Sequence, residues 1–265
     1  MNDRCKSSDF EPRSTQWVNV QISHWLDRDF YGELDLSQSS IDESHLEAAL
    51  HTLAREGAAG RVRCLNLFST KVEAIPKLMR ETLPNLERLL LGCTPLVTVP
   101  PCALPLGLVE LDLGYGDTLQ CLPDEVFSEL KQMKLLYLGR NRLDSLPESL
   151  FDRETGCGAS LVRLDLHGNA LKSLPPAIGS CSALVELNLG RNQLRTLPAE
   201  LASCRNLRVL HVYENDLHAP FPEVFLDAFP QLEQLNWRGN AALPRIPTEV
   251  EHRGPRALLN YLVRA

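Results

Sequence analysis

Asp165, His167 and His211 are the residues near the middle of this 265-residue chain whose types and spacing could do chemistry. A carboxylate beside an imidazole can move a proton, and two histidines can share a metal ion. Side chains two apart on one strand face lie roughly 6 to 7 Å apart, and adjacent strands lie about 4.8 Å apart. Asp165 and Asn188 then become neighbours on adjacent strands, while His167 and His211 stand two strands apart. The histidines are too distant to ligate one ion directly, and no outward Ser or Cys lies beside them as a nucleophile. Catalysis is not expected, and neither a metal nor a cofactor is implied. Cys181 and Cys204 recur at equivalent places, in GSCSAL and ASCRNL, and read as small hydrophobes in a buried arm. Cys64 and Cys93 are expected to project outward, with nothing nearby to make a reactive thiolate. Gly114-Tyr115-Gly116 lacks the rest of a dinucleotide fingerprint and the Lys-Ser/Thr of a phosphate loop.

The elements that place these residues follow from a repeat. Leu161–Leu171 (LVRLDLHGNAL), Leu184–Leu194 (LVELNLGRNQL) and Leu207–Leu217 (LRVLHVYENDL) align without gaps at a period of 23 residues. Within LxL the residues alternate, so Leu164 and Leu166 point to a core while Asp165 and His167 face solvent, as on a half-buried strand. A Leu-Pro step follows, at Leu174-Pro175 and Leu197-Pro198, and suits a thin return arm because Pro favours extended backbone before it. The pattern LxxLxLxxNxL resembles the leucine-rich-repeat family. The resemblance implies an α/β fold, a right-handed solenoid with a parallel concave sheet and short helical or irregular convex arms. It also implies that the Asn amide satisfies backbone groups of its turn and that stacked copies form a ladder.

Looser copies put Asn141, Gly116, Thr94 and Thr70 in the Asn place, Tyr31–Ile41 forms a first unit, and Leu232–Asn240 a last. About nine units cover residues 31–250. Leu46, Ala49, Leu50 and Leu53 have helical spacing, so the first arm is a predicted amphipathic helix. Glu154 to Gly158 reads as a surface loop after a short helix. Because a terminal repeat exposes half its core, residues 1–30 read as an N-terminal cap built on Trp17, Val18, Ile22, Trp25, Leu26 and Phe30. Residues 251–265 read as a capping helix opening at Pro255, with Leu258, Leu259, Tyr261 and Leu262 on one side. Trp237, in a core Leu position, fills the end of the core. The GPRALLNYL stretch resembles the tail of intracellular Ras-suppressor and scribble-related repeat scaffolds.

The outward residues of the best units form the candidate partner-binding surface: Tyr137 and Arg140; Arg163, Asp165 and His167; Asn188 and Arg191; His211, Tyr213 and Glu214; Asn236 and Arg238. With Lys134, Glu186, Arg208 and Glu233 the face holds six bases and four acids, a local excess of two on a chain of net charge −7. Tyr and Arg anchors are typical of protein interfaces, whereas the overall acidity argues against nucleic acid. No stretch is long and apolar enough to span a membrane, the start has no signal-peptide core, and the eight scattered cysteines read as reduced thiols, so a cytoplasmic protein is expected. The resulting expectation is a non-catalytic adaptor that binds a protein on its concave face. The alternative is the substrate-recognition part of a ubiquitin-ligase-type effector, although only about fifteen residues follow the repeats and none is Cys.

Overall fold

The computed structural model describes residues 15–27 and 32–265. Nine three-residue strands follow one another in a single parallel sheet in chain order: β1 (Glu33–Asp35), β2 (Cys64–Asn66), β3 (Arg88–Leu90), β4 (Glu110–Asp112), β5 (Leu135–Tyr137), β6 (Arg163–Asp165), β7 (Glu186–Asn188), β8 (Val209–His211) and β9 (Gln234–Asn236). The register aligns the central leucines, from Leu34 opposite Leu65 through to Leu210 opposite Leu235. Leu34 through Leu210 are at most 2% exposed, as are Leu164 and Leu166, so the alternation expected from LxL is present. Burying each such side chain stabilises the fold by about 1.5 to 3 kcal/mol.

Just past every strand the chain turns through one left-handed residue: Gln38, Ser69, Cys93, Tyr115, Arg140, Gly168, Arg191, Glu214 and Gly239, with φ between +50° and +80°. Only two of these nine are glycine, and for the rest the conformation costs roughly 1 kcal/mol each. The geometry is held because the turn extends the ladder beyond the strand. The N–H of Tyr115 donates to the Gly139 carbonyl at 2.7 Å, that of Arg140 to His167 at 2.6 Å and that of Arg191 to Tyr213 at 2.8 Å.

The following residue points inward and carries the predicted amide ladder. Asn192 Nδ2 donates to the carbonyls of Leu189 and Leu166, both at 3.0 Å, while its Oδ1 accepts the Leu171 N–H at 3.1 Å. Asn141, Asn169, Asn215 and Asn240 each repeat the plan, bonding their own turn and the repeat before. In the earlier repeats Ser39, Thr70 and Thr94 hold the place, and each hydroxyl donates to the carbonyl three residues back. Gly116 supplies no side chain there, and a Cβ on it would overlap the Thr94 carbonyl.

The first return arm is the amphipathic helix α2 (Glu43–Arg55), burying Leu46, Ala49, Leu50 and Leu53 as their spacing predicts. Asp42 caps it, accepting the His45 N–H at 3.1 Å. Bonds from Ser44 and His45 hold the Asp42 carboxyl down, to a pKa of about 2. Later arms are short 3₁₀ turns at 124–126, 148–151, 176–180, 199–203 and 223–227, each preceded by a proline that fixes φ at its start. Residues 154–158 depart from the surface-loop expectation at their end. Cys157 is fully buried, and Cβ atoms on Gly156 or Gly158 would overlap the carbonyls of Ser149 and Phe151. The insertion folds back onto its own 3₁₀ turn because only small residues fit that close to backbone.

At the N-terminal end α1 (Thr15–Asp27) buries Val18, Ile22 and Trp25, with Trp17 and Leu26 packed beside them; Phe30 lies outside the described residues. At the other end a short helix at Thr248–His252, not foreseen in the sequence, precedes α3 (Pro255–Arg264), which buries Leu258, Leu259, Leu262 and Val263. Tyr261 is half-buried, as is Trp237.

Candidate interaction surface

The side chains opposite the core leucines share the sheet's concave face, and the turns decide how free they are. Asp35, Asn66, Asp112, Asp165 and Asn188 each accept the backbone N–H two residues on, with distances of 2.9 to 3.2 Å. Asp165 and Asn188 therefore close turns as well as facing solvent. Asp165 Oδ1 also meets His167 Nδ1 at 2.9 Å, so this carboxylate orients the imidazole. The register places His211 opposite Asn188 and two strands from Asp165, and among the described residues no group of three potential metal ligands converges.

Large rings alternate with glycine along the next row. The His167 ring lies where a Cβ on Gly139 would sit, and the Tyr213 ring lies where one on Gly190 would sit. Each glycine gives the ring of the following repeat a place to lie flat across the turn. Tyr115 joins this band edge-on to His167, with ring centroids 5.6 Å apart, and the Arg140 guanidinium stands 5.5 Å from the Tyr115 centroid. Cation–π contacts of this kind contribute about 0.5 to 1 kcal/mol at exposed sites. Tyr115 is not among the outward residues expected from the repeat; its alignment with Arg140 of the next repeat is the signal that finds it.

Tyr137 beside Arg163 raises that guanidinium's pKa, and Glu186 adds to the effect from 2.7 Å. Burial raises the Tyr213 hydroxyl above its ordinary value, with Asp165 and Glu214 acting the same way. Arg191 pairs with Glu214 at 3.0 Å, Arg208 with Glu233, and Arg238 with Glu251 at 3.5 Å. These pairs are exposed and contribute little to stability; Glu214 and Glu233 already count among the acids of the face, so only Glu251 lowers its positive excess. Tyr137, Arg140, Arg163, Asp165, His167, Arg191, Tyr213 and Glu214 thus lie together over β5 to β8, with Asn188 among them. His211, which meets Tyr213 edge-on with ring centroids 6.4 Å apart, lines a cleft beside β9 with Asn236 and Arg238.

Two thiol expectations are overturned. Cys64 faces the same side as Glu33 and Arg88, yet is 1% exposed. Its neighbours on β1 and β3 are those two long side chains, which approach each other at 3.6 Å. Burial pushes the Cys64 thiol up to about 11. Cys93 is half-buried at its left-handed turn and is disulfide-bonded, so it is not a reduced, outward thiol. Cys181 and Cys204 are fully buried, as expected, and burial raises both thiols, Cys204 to about 12.

Comparison with known proteins gives the same architecture. The leucine-rich-repeat family model matches residues 159–217. Osteomodulin of Rattus norvegicus is 26% identical over 186 residues, covering 66% of this chain and 40% of osteomodulin. An LRR protein of Leptospira interrogans superimposes with a TM-score of 0.60 at 28% identity, over 89% of this chain and 59% of that one. The FLRT2 repeat structure, in an octameric complex with Latrophilin 3 and Unc5D, has a TM-score of 0.60 at 22% identity, over 80% of this chain and 62% of that one, and shows the fold alone. The chain is a leucine-rich-repeat solenoid, and these matches support the leucine-rich-repeat family. Among the described residues no helix is long and apolar enough to cross a membrane.

Proposed function

We propose that this chain is a non-catalytic interaction module that holds a protein partner against the concave face over β4 to β8. The observation that carries this reading is the band of Tyr115, Arg140, Tyr137, Arg163, His167 and Tyr213, drawn from four of the five repeats from β4 to β8, in which Tyr115 meets Arg140 and His167 and Tyr137 lies beside Arg163. Rings and guanidinium groups fixed in advance lose little freedom on binding, which is what makes such residues interface anchors. A protein partner is favoured over nucleic acid because the arginines Arg163 and Arg191 are already matched by Glu186 and Glu214 and the net charge is −7. The proposed setting is cytoplasmic, supported by the six free thiols among the described residues and opposed by the Cys93 disulfide.

The test replaces Tyr115, Tyr137 and Arg140 together with Ala and compares the proteins captured by variant and parent, with the thermal midpoint as a fold control. Loss of the specific partners at an unchanged midpoint supports the reading. Full retention would move the site off this face.

A further inference from the structure

The two ends of the sheet are finished differently. On β1, Glu33 turns its carbonyl away from β2, and that carbonyl accepts the Trp25 indole N–H at 2.8 Å. On β9 nothing equivalent is present among the described residues. Gln234 N–H donates to the Arg208 carbonyl at 3.0 Å and the Val212 N–H to the Asn236 carbonyl at 2.7 Å, so Gln234 and Asn236 serve β8. By the alternation of a parallel ladder, Leu235 between them directs its N–H and C=O to the open side. Leu235 is also half-buried where the eight preceding central leucines are buried. A cleft of about 560 Å³ lies along this edge, between Leu235, Trp237 and the start of α3 at Gly254, Pro255 and Leu258.

We propose that this cleft takes an extended peptide that pairs with β9 as a tenth strand and alternates apolar with uncharged polar side chains. A donor and an acceptor on one residue of a free edge are matched by the backbone of another strand. Along that strand, residues on the core side meet Leu235 and Trp237, and those between them meet Gln234 and Asn236. The charges bordering the cleft are already engaged, Arg238 with Glu251 and Glu233 with Arg208. What remains is polar: Gln234, Asn236 and His211, whose buried Nδ1 has no hydrogen-bond partner. A charged peptide side chain would find no free counter-charge here. The size of the cleft suits one extended segment rather than a second copy, which would bring its own capping helices to the same edge.

The probe is a blocked hexapeptide alternating Val with Thr, added to the full chain while amide hydrogen exchange is followed residue by residue. The expected result is slowing of the Leu235 amide by about tenfold or more. Methylating the alternate backbone nitrogens that face β9, or replacing Thr by Glu or by Lys, is expected to weaken binding by about tenfold or more. The Tyr115, Tyr137 and Arg140 triple variant should bind the peptide normally, which separates this site from the concave face. No slowing at Leu235, or equal affinity for the methylated peptide, overturns the proposal. Protection of Leu235 that appears without peptide and grows with protein concentration also overturns it, in favour of a second copy.

Discussion

The turn ladder is built differently in the two halves of the solenoid. From Ser39 to Thr94 a hydroxyl makes one bond to its own turn, whereas from Asn141 to Asn240 an amide bonds its own turn and also the carbonyl and N–H of the repeat before. A hydroxyl has one donor, while an amide has two donors and an acceptor. The early turns are closed one by one and the late turns are stitched together. The arms compensate in the opposite sense. The hydroxyl half has the thirteen-residue α2 and the packed α1, whereas the arms between the amide turns are 3₁₀ turns of four or five residues. Coupling between repeats is therefore carried by helix packing at one end and by buried amides at the other.

The largest expected effect is at Asn192. Replacing it with Ala leaves the carbonyls of Leu166 and Leu189 and the N–H of Leu171 without their partner, which should cost about 3 kcal/mol in urea unfolding. A loss below about 0.3 kcal/mol would contradict the ladder. Thr94→Val removes a single bond to the Leu91 carbonyl and should cost about 1.5 kcal/mol by the same measurement. If the two substitutions cost the same, the contrast between the halves fails.

The smallest effect sharpens the helical side of the comparison. The Asp42 pKa falls from 3.8 to about 2 on folding, so its contribution is complete above 3.8 and is lost as pH falls toward 2. Asp42→Ala should cost about 1 kcal/mol at neutral pH. It should also flatten the stability profile between those two pH values, as read by denaturation at a series of pH values.

Periodicity announced the solenoid because its physics is local: LxL alternation sets which residues face the core, a polar residue three places on closes each turn, and Leu-Pro opens each thin arm. Nine strands and the buried face of α2 are legible in spacing alone, whereas the Asn bonds follow from the resemblance to the repeat family. What spacing could not convey was what one repeat does to the next. Cys64 reads as outward until Glu33 and Arg88 from its two neighbours are seen beside it. Gly139 and Gly190 read as ordinary turn positions until the rings of His167 and Tyr213 arrive from the following repeat. Tyr115 joins the candidate surface only through Arg140 and His167, one and two strands away.

A strand's own residues decide which way its side chains face. Whether those side chains are covered, paired or left open depends on atoms contributed some twenty-odd positions along the chain, and these meet only when the coils stack. The same holds at the ends. Apolar caps were foreseeable from composition, but the covered edge of β1 and the open edge of β9 follow from where α1 and α3 come to rest.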